Sequence, residues 1–538
     1  MNVAKRVAET LRDLGVKYVF GNPSGSFGDF MEGLRQTDGI EFILVTNEAS
    51  GGFMADVCWR LTRQMAVTFG TFGPGACNQT TGVVGGLLDR SPMLAFADEF
   101  DSGMLSRTVQ MNIDQEAMFK PITKMQTRIA PNIVREVLYQ AFRIASEERP
   151  GPVYVGLPCG MGVVESGEEE IPLPVINEVR PASDASIRSM QESFQRSRRP
   201  VVALGISAVR WNLSEPVIAF AEKFNIPIVL TPMAKGMVPE DHASYTGVLA
   251  HALADQVGKT HQEADLIIGI GFDPIEINYE EWIPEVEVVH LDTCAADLDT
   301  TRYTLAADVV GNLADSLHKL RETDCEPKEW DLSVVAKRTE RIFSQLEEVE
   351  GLFDPRCVLA GLREKMPEDG IMTCDVGAHL HLIGQTWKTP SPECQLMTNG
   401  CSSMGFGIPA AIAAKMCLPE RVVACVVGDG GFLMMCGEMA TAMRLNRNIV
   451  FVLLTDKQLS LIGIKQENKS YPIYGTPLYG DDYVSSNNFF GVPVLPARNK
   501  IEYSAALDDA FASSGPVIVE AFVKREDYQG LILRGNRS

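Results

Sequence analysis

The feature that most constrains this fold is a recurring unit: an apolar strand pattern, a turn of small residues and then a helical pattern. The unit appears as YVFG before GNPSGSFG, as FILV before TNEASGGFMADVCWRL, and as MAVTF before GTFGPGACNQTTGVVGGLLD. Alternating strands and helices are typical of a parallel sheet covered by helices on its faces. The sequence therefore predicts an α/β fold, and in such folds ligands bind at the carboxyl ends of the strands.

The length and the two breaks in this pattern predict three domains. The chain has 538 residues, more than one hydrophobic core usually organises. An acidic stretch interrupted by prolines (around 160–186) and a charged helical stretch (about 326–350) separate three sets of strands. We predict domains at 1–165, 183–325 and 350–528, each with a mainly parallel sheet flanked by helices.

Net charge, apolar segments and cysteine content indicate which kinds of partner and which cellular compartment to expect. The formal net charge is −22, from 70 acidic and 48 basic residues, which argues against nucleic acid or an anionic membrane as the main partner. The amino-terminal segment has no apolar region typical of a signal peptide, and no stretch is apolar enough to span a bilayer. The 12 cysteines are scattered without a C-x-x-C pair. We therefore predict a cytoplasmic protein with reduced thiols.

Two acidic residues each follow a buried strand pattern. Asp429 lies in the Gly-Asp-Gly after ACVVG, and Asp456 ends the next strand pattern, VFVLLTD, with a helical pattern at 431–444 between them. Alone, Gly-Asp-Gly is most often a tight turn. Here a crossover helix brings both strand ends to one edge of the sheet, so the carboxylates can converge. They predict a seat for a divalent cation that holds a diphosphate.

The segment from Gly428 to Asp456 resembles the thiamine diphosphate-binding motif, which begins Gly-Asp-Gly and ends in a pair of asparagines. Further matches follow in the expected order: TNEASGGFMAD, GTFGPGACN, FKPITK, CDVGAHL and TNGCSSMGFGIPAAIAA. Over nearly its full length the chain resembles the family of acetolactate synthase, pyruvate oxidase and pyruvate decarboxylase, and most closely its catabolic acetolactate synthase-like members. The resemblance implies the thiamine diphosphate-binding fold for the first and third domains.

The resemblance also implies the roles of individual residues. Glu48 would be catalytic, sharing a proton with the aminopyrimidine of thiamine diphosphate. Asp429, Asp456 and the main-chain carbonyl of Gln458 would bind Mg²⁺, and Met404 would support the bent cofactor. The implied cofactor-binding residues are Pro23, Glu48, Thr71, Asn78, Gly377, Ala378, His379, Ser403, Met404, Gly428, Asp429, Gly430, Gly431, Asp456, Gln458, Leu459, Ser460 and Leu461.

Departures from the family pattern concern the substrate side. Thr455-Asp456 replaces the usual asparagine pair, as in catabolic acetolactate synthases, and Gln110-Met111 stands where those enzymes have His-Gln. Gln110, Met111 and Gln466 are the candidate substrate residues. None of the seven histidines lies in the first 200 residues, so the paired histidines of pyruvate decarboxylases are missing. The middle region resembles forms without flavin, so FAD is possible but not favoured.

The expected function is decarboxylation of a 2-oxo acid, with pyruvate as donor, followed by carboligation of the resulting enamine to a second carbonyl compound. A nonoxidative decarboxylase or an acetyl transferase of the same fold is the alternative, and a noncatalytic cofactor-binding relative is a third reading. By family analogy the active sites lie between subunits of a homodimer or homotetramer. Small molecules, rather than nucleic acid or a membrane, are the expected partners.

Overall fold

The computed structural model describes residues 1–167, 169–480 and 482–533, which form three α/β regions. The first region consists of α1 (Val3–Asp13), β1 (Tyr18–Gly21), α2 (Gly28–Arg35), β2 (Glu41–Leu44), α3 (Glu48–Thr62), β3 (Val67–Gly70), α4 (Pro74–Leu88), β4 (Leu94–Glu99), α5 (Gln115–Phe119), β5 (Gln126–Arg128), α6 (Val134–Ser146) and β6 (Val153–Pro158). Its strands pair in the order β2-β1-β3-β4-β6-β5, all parallel.

The second region also has a parallel six-stranded sheet. It consists of α7 (Asp184–Arg196), β7 (Pro200–Leu204), α8 (Ile206–Arg210), α9 (Ser214–Phe224), β8 (Ile228–Leu230), β9 (Tyr245–Val248), α10 (Ala254–His261), β10 (Leu266–Ile270), β11 (Glu287–Asp292), β12 (Thr304–Val310) and α11 (Leu313–Arg321). The strand order is β12-β11-β10-β7-β8-β9. A connecting helix, α12 (Leu332–Leu346), follows where the sequence predicts a charged helical stretch.

The third region has seven strands. It consists of α13 (Pro355–Lys365), β13 (Ile371–Cys374), α14 (Ala378–Thr386), β14 (Gln395–Leu396), α15 (Gly407–Cys417), β15 (Val423–Gly428), α16 (Asp429–Met435), α17 (Glu438–Leu445), β16 (Val450–Thr455), α18 (Ser460–Asn468), β17 (Asn488–Phe489), β18 (Val492–Ala497), α19 (Lys500–Ala512) and β19 (Val517–Phe522). The order is β14-β13-β15-β16-β19-β18-β17, with only β17 antiparallel to its neighbour among the described strands.

The predicted fold class is confirmed: three mainly parallel sheets are flanked by helices. Short 3₁₀ helices at Lys120–Ile122, Pro232–Ala234, Tyr279–Glu281, Pro392–Cys394 and Arg525–Tyr528 complete the regular structure. Strands β4, β6 and β16 are buried along their whole length because helices cover both faces of their sheets. The domain limits at 165, 183, 325 and 350 stay a prediction.

The helical pattern predicted at 431–444 forms two helices rather than one. Helix α16 ends at Met435 and α17 begins at Glu438. The break lies where Gly437 approaches the first region, since a Cβ at Gly437 would lie 2.9 Å from Thr46 Oγ1. The helix therefore ends where it contacts the first region, and a local sequence pattern does not contain that information.

The first and third regions share one hydrophobic core. Helices α3 and α15 pack against each other, and the rings of Phe53 and Phe406 meet edge to face at 5.8 Å between centroids. Alanines on α15, among them Ala410 and Ala414, allow this close approach. No helix in the described parts of the chain is long and apolar enough to cross a membrane.

Candidate active site

The two acidic residues that follow strand patterns lie at one edge of the third sheet. Strands β15 and β16 are parallel neighbours, with Gly428 opposite Leu454. Asp429 is the first residue after β15, and Asp456 is the first after β16. Because both strands end at the same edge, the two carboxyl groups leave the sheet side by side, as the sequence predicts.

Main-chain and hydroxyl donors fix both carboxyl groups. Asp429 accepts hydrogen bonds from the backbone N–H of Lys457 at 2.7 Å and of Gly430 at 2.9 Å. Asp456 accepts from the N–H of Gln458 at 3.1 Å and from Ser460 Oγ at 2.6 Å. Their orientation is therefore set by the backbone of the two strand ends.

The electrostatics of this pair call for a cation. Burial raises the pKa of both Asp429 and Asp456, and the negative charge of Asp456 raises the pKa of Asp429 further. Arg525, whose charge lowers the pKa of Asp456, forms ion pairs with Glu467 and Glu526 instead. Two buried carboxyl groups held side by side suit a hard divalent cation.

The predicted third Mg²⁺ ligand, the main-chain carbonyl of Gln458, lies in a segment that several contacts hold in place. Lys457 adopts a left-handed backbone with φ 66°, and Gln458 forms an isolated bridge with Pro477. The Gln458 side chain also donates to Thr476 Oγ1 at 2.9 Å. In residues 1–167, 169–480 and 482–533 no group of three or more His, Cys, Asp or Glu could hold a metal. A carbonyl, diphosphate oxygens and water would have to complete a Mg²⁺ shell around the two carboxylates.

Glycines after β15 let neighbouring side chains pack directly against the backbone beside this pair. A Cβ at Gly430 would lie 2.6 Å from Leu459 Cδ2 and 3.0 Å from Met404 Cε, so the predicted Gly430, Leu459 and Met404 do meet. A Cβ at Gly431 would lie 2.6 Å from Asp375 Oδ2. A larger residue at either position would collide with these side chains, so the close packing requires glycine.

Asp375 is a site residue that the sequence reasoning missed. It directly follows β13, is fully buried and accepts a hydrogen bond from the N–H of Gly405 at 2.9 Å, next to Met404. Burial raises the pKa of Asp375 to about 7. The signal was available: Asp375 ends a strand pattern in CDVGAH just as Asp429 and Asp456 do. Its role is to hold the loop that carries Met404.

His379, predicted to touch the diphosphate, is buried beside the Gly-Asp-Gly turn. Cβ atoms at Gly377 and Gly428 would lie 2.8 and 3.3 Å from its Cε1. Burial lowers the pKa of His379 to about 4, so the ring is neutral at neutral pH, and Nε2 has no hydrogen-bond partner. Ala378 begins α14 next to it. A glycine turn and a helix start at one place suit phosphate oxygens.

The remaining predicted cofactor residues of the third region lie on the same loops. Ser403 is half-buried and donates its hydroxyl to the carbonyl of Met404 at 3.0 Å. Ser460 begins α18 and Leu461 follows it, half-buried against the hydrophobic core. The structure thus gathers the predicted residues of this region around the ends of β13, β15 and β16.

Glu48 and Asn78 lie together in the first region. Glu48 is the first residue of α3, only 6% exposed, after Asn47 caps the helix through the N–H of Ala49. Asn78 Nδ2 donates to Glu48 Oε2 at 3.0 Å. A Cβ at Gly75 would lie 3.1 Å from Glu48 Oε1. The TNEASGG and GTFGPGACN motifs therefore build one pocket for the Glu48 carboxylate.

Other predicted residues of the first region line the neighbouring loops. Pro23 is exposed after β1, and Thr71 is half-buried after β3 and hydrogen-bonds Asp98. Gln110 is exposed, while the Met111 carbonyl would lie 2.7 Å from a Cβ at Gly73. Met111 therefore packs on the GTFGPG loop through its backbone, and the substrate roles of Gln110 and Met111 stay predictions.

Two glutamines form hydrogen bonds that fix loops near the site. Gln466 is half-buried and binds the N–H and carbonyl of Tyr474, which ties α18 to the following loop, and its substrate role stays a prediction. Gln115, which the sequence reasoning missed, accepts from the Gly73 N–H at 2.9 Å and donates to Tyr154 Oη at 2.9 Å. Its one signal is its place as the first residue of α5 after the N-cap Asp114.

A buried carboxylate joins the first and third regions within one chain. Glu438, at the start of α17, accepts hydrogen bonds from the N–H of Thr46 at 3.0 Å, the Thr46 hydroxyl at 2.7 Å and the N–H of Asn47 at 3.1 Å. Its other oxygen accepts from Thr441 Oγ1 at 2.6 Å. The helix that follows Asp429 and Met435 thus anchors the residues immediately before Glu48.

Comparison with known proteins agrees with this arrangement region by region. Family models described as the N-terminal TPP binding domain, the central domain and the C-terminal TPP binding domain of thiamine pyrophosphate enzymes match residues 1–118, 187–320 and 375–521. Thiamine pyrophosphate (TPP) is another name for thiamine diphosphate. The first and last of these matches contain Glu48 and the Asp429–Asp456 pair.

Relatives with similar sequences span nearly the whole chain. The acetolactate synthase isozyme 1 large subunit of Escherichia coli (strain K12) is 28% identical, covering 97% of this chain and 94% of that protein. A probable acetolactate synthase large subunit of Methanocaldococcus jannaschii is 27% identical over 100% and 94%. Acetolactate synthase of Bacillus subtilis (strain 168) is 27% identical over 97% and 93%. The chain therefore belongs to the family of thiamine diphosphate-dependent, acetolactate synthase-like enzymes.

Proposed function

We propose that this enzyme decarboxylates pyruvate and joins the remaining two-carbon unit to a second carbonyl compound. The observation that carries the proposal is the pairing of a buried Glu48–Asn78 pocket with a buried Asp429–Asp456 pair, in a chain whose full-length relatives are acetolactate synthases. Thiamine diphosphate, when bound, supplies an electron sink for the pair left behind as CO₂ departs.

The residues at the ends of β13, β15 and β16 would hold the cofactor's diphosphate. Asp429, Asp456 and the Gln458 carbonyl would bind Mg²⁺, because carboxylate and carbonyl oxygens are the ligands it prefers. Residues 377–379 and 428–431 would lie along the phosphates. The start of α14 at Ala378 supports this assignment, because backbone N–H groups at a helix start can donate to phosphate oxygens.

Glu48 would hold and move the proton that activates the cofactor. Asn78 fixes Oε2 by a hydrogen bond, which leaves Oε1, the atom nearest Gly75, free to share a proton with a ring nitrogen. At 6% exposure, the Glu48 carboxyl is shielded from water that would compete for this proton. Asn78 thus orients the carboxylate, and Glu48 makes the transfer.

The sequence favours carboligation of the two-carbon unit over its release as an aldehyde. Release of an aldehyde needs a proton donor at that carbon, and the first 200 residues, which supply Glu48, contain no histidine. A two-carbon unit that is not readily protonated remains available to a second carbonyl compound. This supports acetolactate formation over simple decarboxylation of pyruvate.

We propose that the second region binds no FAD. Glu276 lies there, half-buried, at the ends of the strands, where a nucleotide would lie. It accepts hydrogen bonds from the N–H of Ile206 at 3.0 Å, the N–H of Met233 at 3.0 Å and Thr231 Oγ1 at 2.8 Å. Donors that could meet a phosphate are therefore already occupied by a carboxyl group of the same chain.

We propose a homodimer or homotetramer in the cytoplasm, with active sites between subunits. Large apolar side chains stay exposed beside the candidate diphosphate site: Leu433 is 44% exposed, Met434 56% and Ile462 44%. A second copy of the chain would cover them and supply its Glu48. The 12 free cysteines agree with a reducing compartment.

The test is a product assay with purified protein, pyruvate, Mg²⁺ and thiamine diphosphate. We expect CO₂ and acetolactate, with little acetaldehyde. CO₂ with acetaldehyde alone would rule out carboligation, and no CO₂ would rule out pyruvate as the donor. Glu48→Gln serves as the control variant: it should bind the cofactor but lose hydrogen–deuterium exchange at the cofactor's C2, and exchange at the wild-type rate would refute the role of Glu48.

A further inference from the structure

Two cysteines from distant parts of the chain meet between the first and third regions. Cys58 lies on α3 and Cys417 is the last residue of α15. Their Sγ atoms are 3.3 Å apart, although 359 positions separate them in the sequence. A disulfide has an S–S distance of about 2.0 Å, so closing this gap requires a movement of roughly 1.3 Å.

The packing of the two helices holds the pair in place. Cys58 is 2% exposed and belongs to the core that α3 and α15 share. The Phe53–Phe406 contact lies in the same core. Because both cysteines sit on packed helices, rotation of the side chains about their Cα–Cβ bonds can bring the sulfurs together without moving the backbone far.

The pair is asymmetric, as an attacking and a resolving thiol would be. Cys417 is half-buried whereas Cys58 is buried, and both line a cavity of about 30 Å³ beside the exposed Lys17. The contact with Cys58, together with the charge of Lys17, lowers the pKa of Cys417, while the same contact and burial raise the pKa of Cys58. Cys417 is therefore the thiol that ionises first and is the more accessible.

We propose that Cys58 and Cys417 form a modification site that is converted to an intrachain disulfide by low-molecular-weight disulfides of the glutathione type. The Cys417 thiolate attacks one sulfur of the small disulfide, forms a mixed disulfide and releases one small thiolate. That thiolate takes the Cys58 proton. The Cys58 thiolate then attacks the Cys417 sulfur and displaces the second small thiolate, which takes up the proton that Cys417 released on ionising. Two protein thiols are oxidised, and one small disulfide is reduced to two thiols.

The new bond would fasten together the two regions that carry the active site. Helix α3 begins with Glu48 and reaches Cys58 ten residues later, about 15 Å along the axis. Helix α15 follows the loop of Met404. The bond would close a loop of 359 residues and so restrict the unfolded chain. Oxidation at the far end of α3 would stabilise its packing on α15 without touching the site.

The experiment treats the native full-length protein with oxidised glutathione, alkylates the remaining thiols and maps the peptides by mass spectrometry. We expect a linked peptide pair containing Cys58 and Cys417, lighter by two hydrogens and free of glutathione. The thermal midpoint should rise by about 3 °C and return after dithiothreitol. Glutathione that stays on Cys417 of the wild type would overturn the proposal.

Two single variants and one internal control separate the steps. Cys58→Ala should retain glutathione on Cys417, because nothing resolves the mixed disulfide. Cys417→Ala should leave Cys58 unmodified, because Cys58 is buried. The exposed Cys77 reports that the reagent reacts with accessible thiols. Modification of Cys77 in the wild type without any Cys58–Cys417 link would also overturn the proposal.

Discussion

Gly75 is the residue whose size most directly controls the Glu48 carboxylate. A Cβ there would lie 3.1 Å from Glu48 Oε1 and 3.0 Å from Thr71 Cγ2, which is closer than side chains normally approach. We expect Gly75→Ala to push the carboxylate away and lower kcat roughly 10- to 100-fold. Steady-state kinetics with pyruvate measures this. Gly28→Ala, where a Cβ meets nothing within 4 Å, is the matched control and should keep wild-type kcat.

Asp456 occupies the position at which the thiamine diphosphate-binding motif that the chain resembles ends in asparagine, so its oxygen should matter more than its charge. We expect Asp456→Asn to keep activity with a Mg²⁺ requirement raised by less than about 10-fold, and Asp456→Ala to lose Mg²⁺ binding at millimolar concentrations. Magnesium titrations of activity and of the thermal midpoint in the presence of thiamine diphosphate check this. If the alanine variant needed no more Mg²⁺ than wild type, Asp456 would not be a ligand.

At the scale of residues, local sequence motifs were enough to predict the acidic site residues, but not the residues that hold the neighbouring loops in place. Glu48, Asp429 and Asp456 lie beside glycine turns that mark strand ends in the sequence itself. The partners of Asp375 and Gln115 lie 30 and 42 positions away, at Gly405 and Gly73. Such contacts form only when separate strand ends come together, so no local pattern contains them.

At the scale of elements, Glu438 couples α17 to the start of α3. Its carboxylate receives four hydrogen bonds while fully buried, so its removal leaves several buried donors unpaired. We expect Glu438→Ala to destabilise the protein by about 2–4 kcal/mol and lower kcat at least roughly 10-fold, through displacement of Glu48. Urea unfolding and steady-state kinetics measure the two effects.

Glu438→Gln separates positioning from loss of the side chain. The amide oxygen can still accept from the N–H groups of Thr46 and Asn47, so we expect most of the lost kcat to return. Equal losses in the alanine and glutamine variants would show that the charge of Glu438, rather than its hydrogen bonds to residues 46 and 47, is what the site needs.

Among the elements, strands with an apolar run were predictable, including the edge strand β2, whereas the edge strands β9 and β12 were not. The patterns for β1, β3, β10, β15, β16 and β19 are apolar runs, and each forms a strand. Strand β9 contains Gly247 at φ 115°, and β12 is an edge strand that is partly exposed. Strand β9 lacks an apolar run because its backbone is irregular at Gly247. Strand β12 lacks one because one of its faces is exposed to water.

At the scale of the whole molecule, acid stability should depend on His261. The ring is buried against Trp282 at 5.0 Å between centroids, and burial lowers the pKa of His261 to about 4. Below the unfolded pKa of 6.5 the unfolded chain binds the extra proton, so stability present above that pH is lost as pH falls toward 4.

We expect His261→Phe to reduce the loss of stability between pH 7 and pH 5 by about 2 kcal/mol, since the phenyl ring keeps the contact but cannot be protonated. Urea unfolding at both pH values measures the difference. His318→Gln, on an exposed face of α11, is the matched control and should leave the pH dependence unchanged. An unchanged pH dependence in His261→Phe would contradict the argument.

The assembly itself decides where a complete active site lies. In one chain Glu438 anchors the residues before Glu48 beside α17, while the apolar side chains of Leu433, Met434 and Ile462 remain exposed. If a second copy covers them and brings its own Glu48, each site takes Glu48 from one subunit and Asp429 from the other. Two variants, Glu48→Gln and Asp429→Asn, should then each be inactive alone.

Co-expression of the two variants with different affinity tags tests this arrangement. Random pairing makes half of the dimers mixed, and each mixed dimer contains one site with both residues intact, so about a quarter of wild-type activity should return. Co-expression of Glu48→Gln with Glu48→Ala is the control and should restore nothing. If Glu48 and Asp429 instead acted within one chain, every site of the mixed dimer would lack one of them, and activity would stay at the level of the single variants.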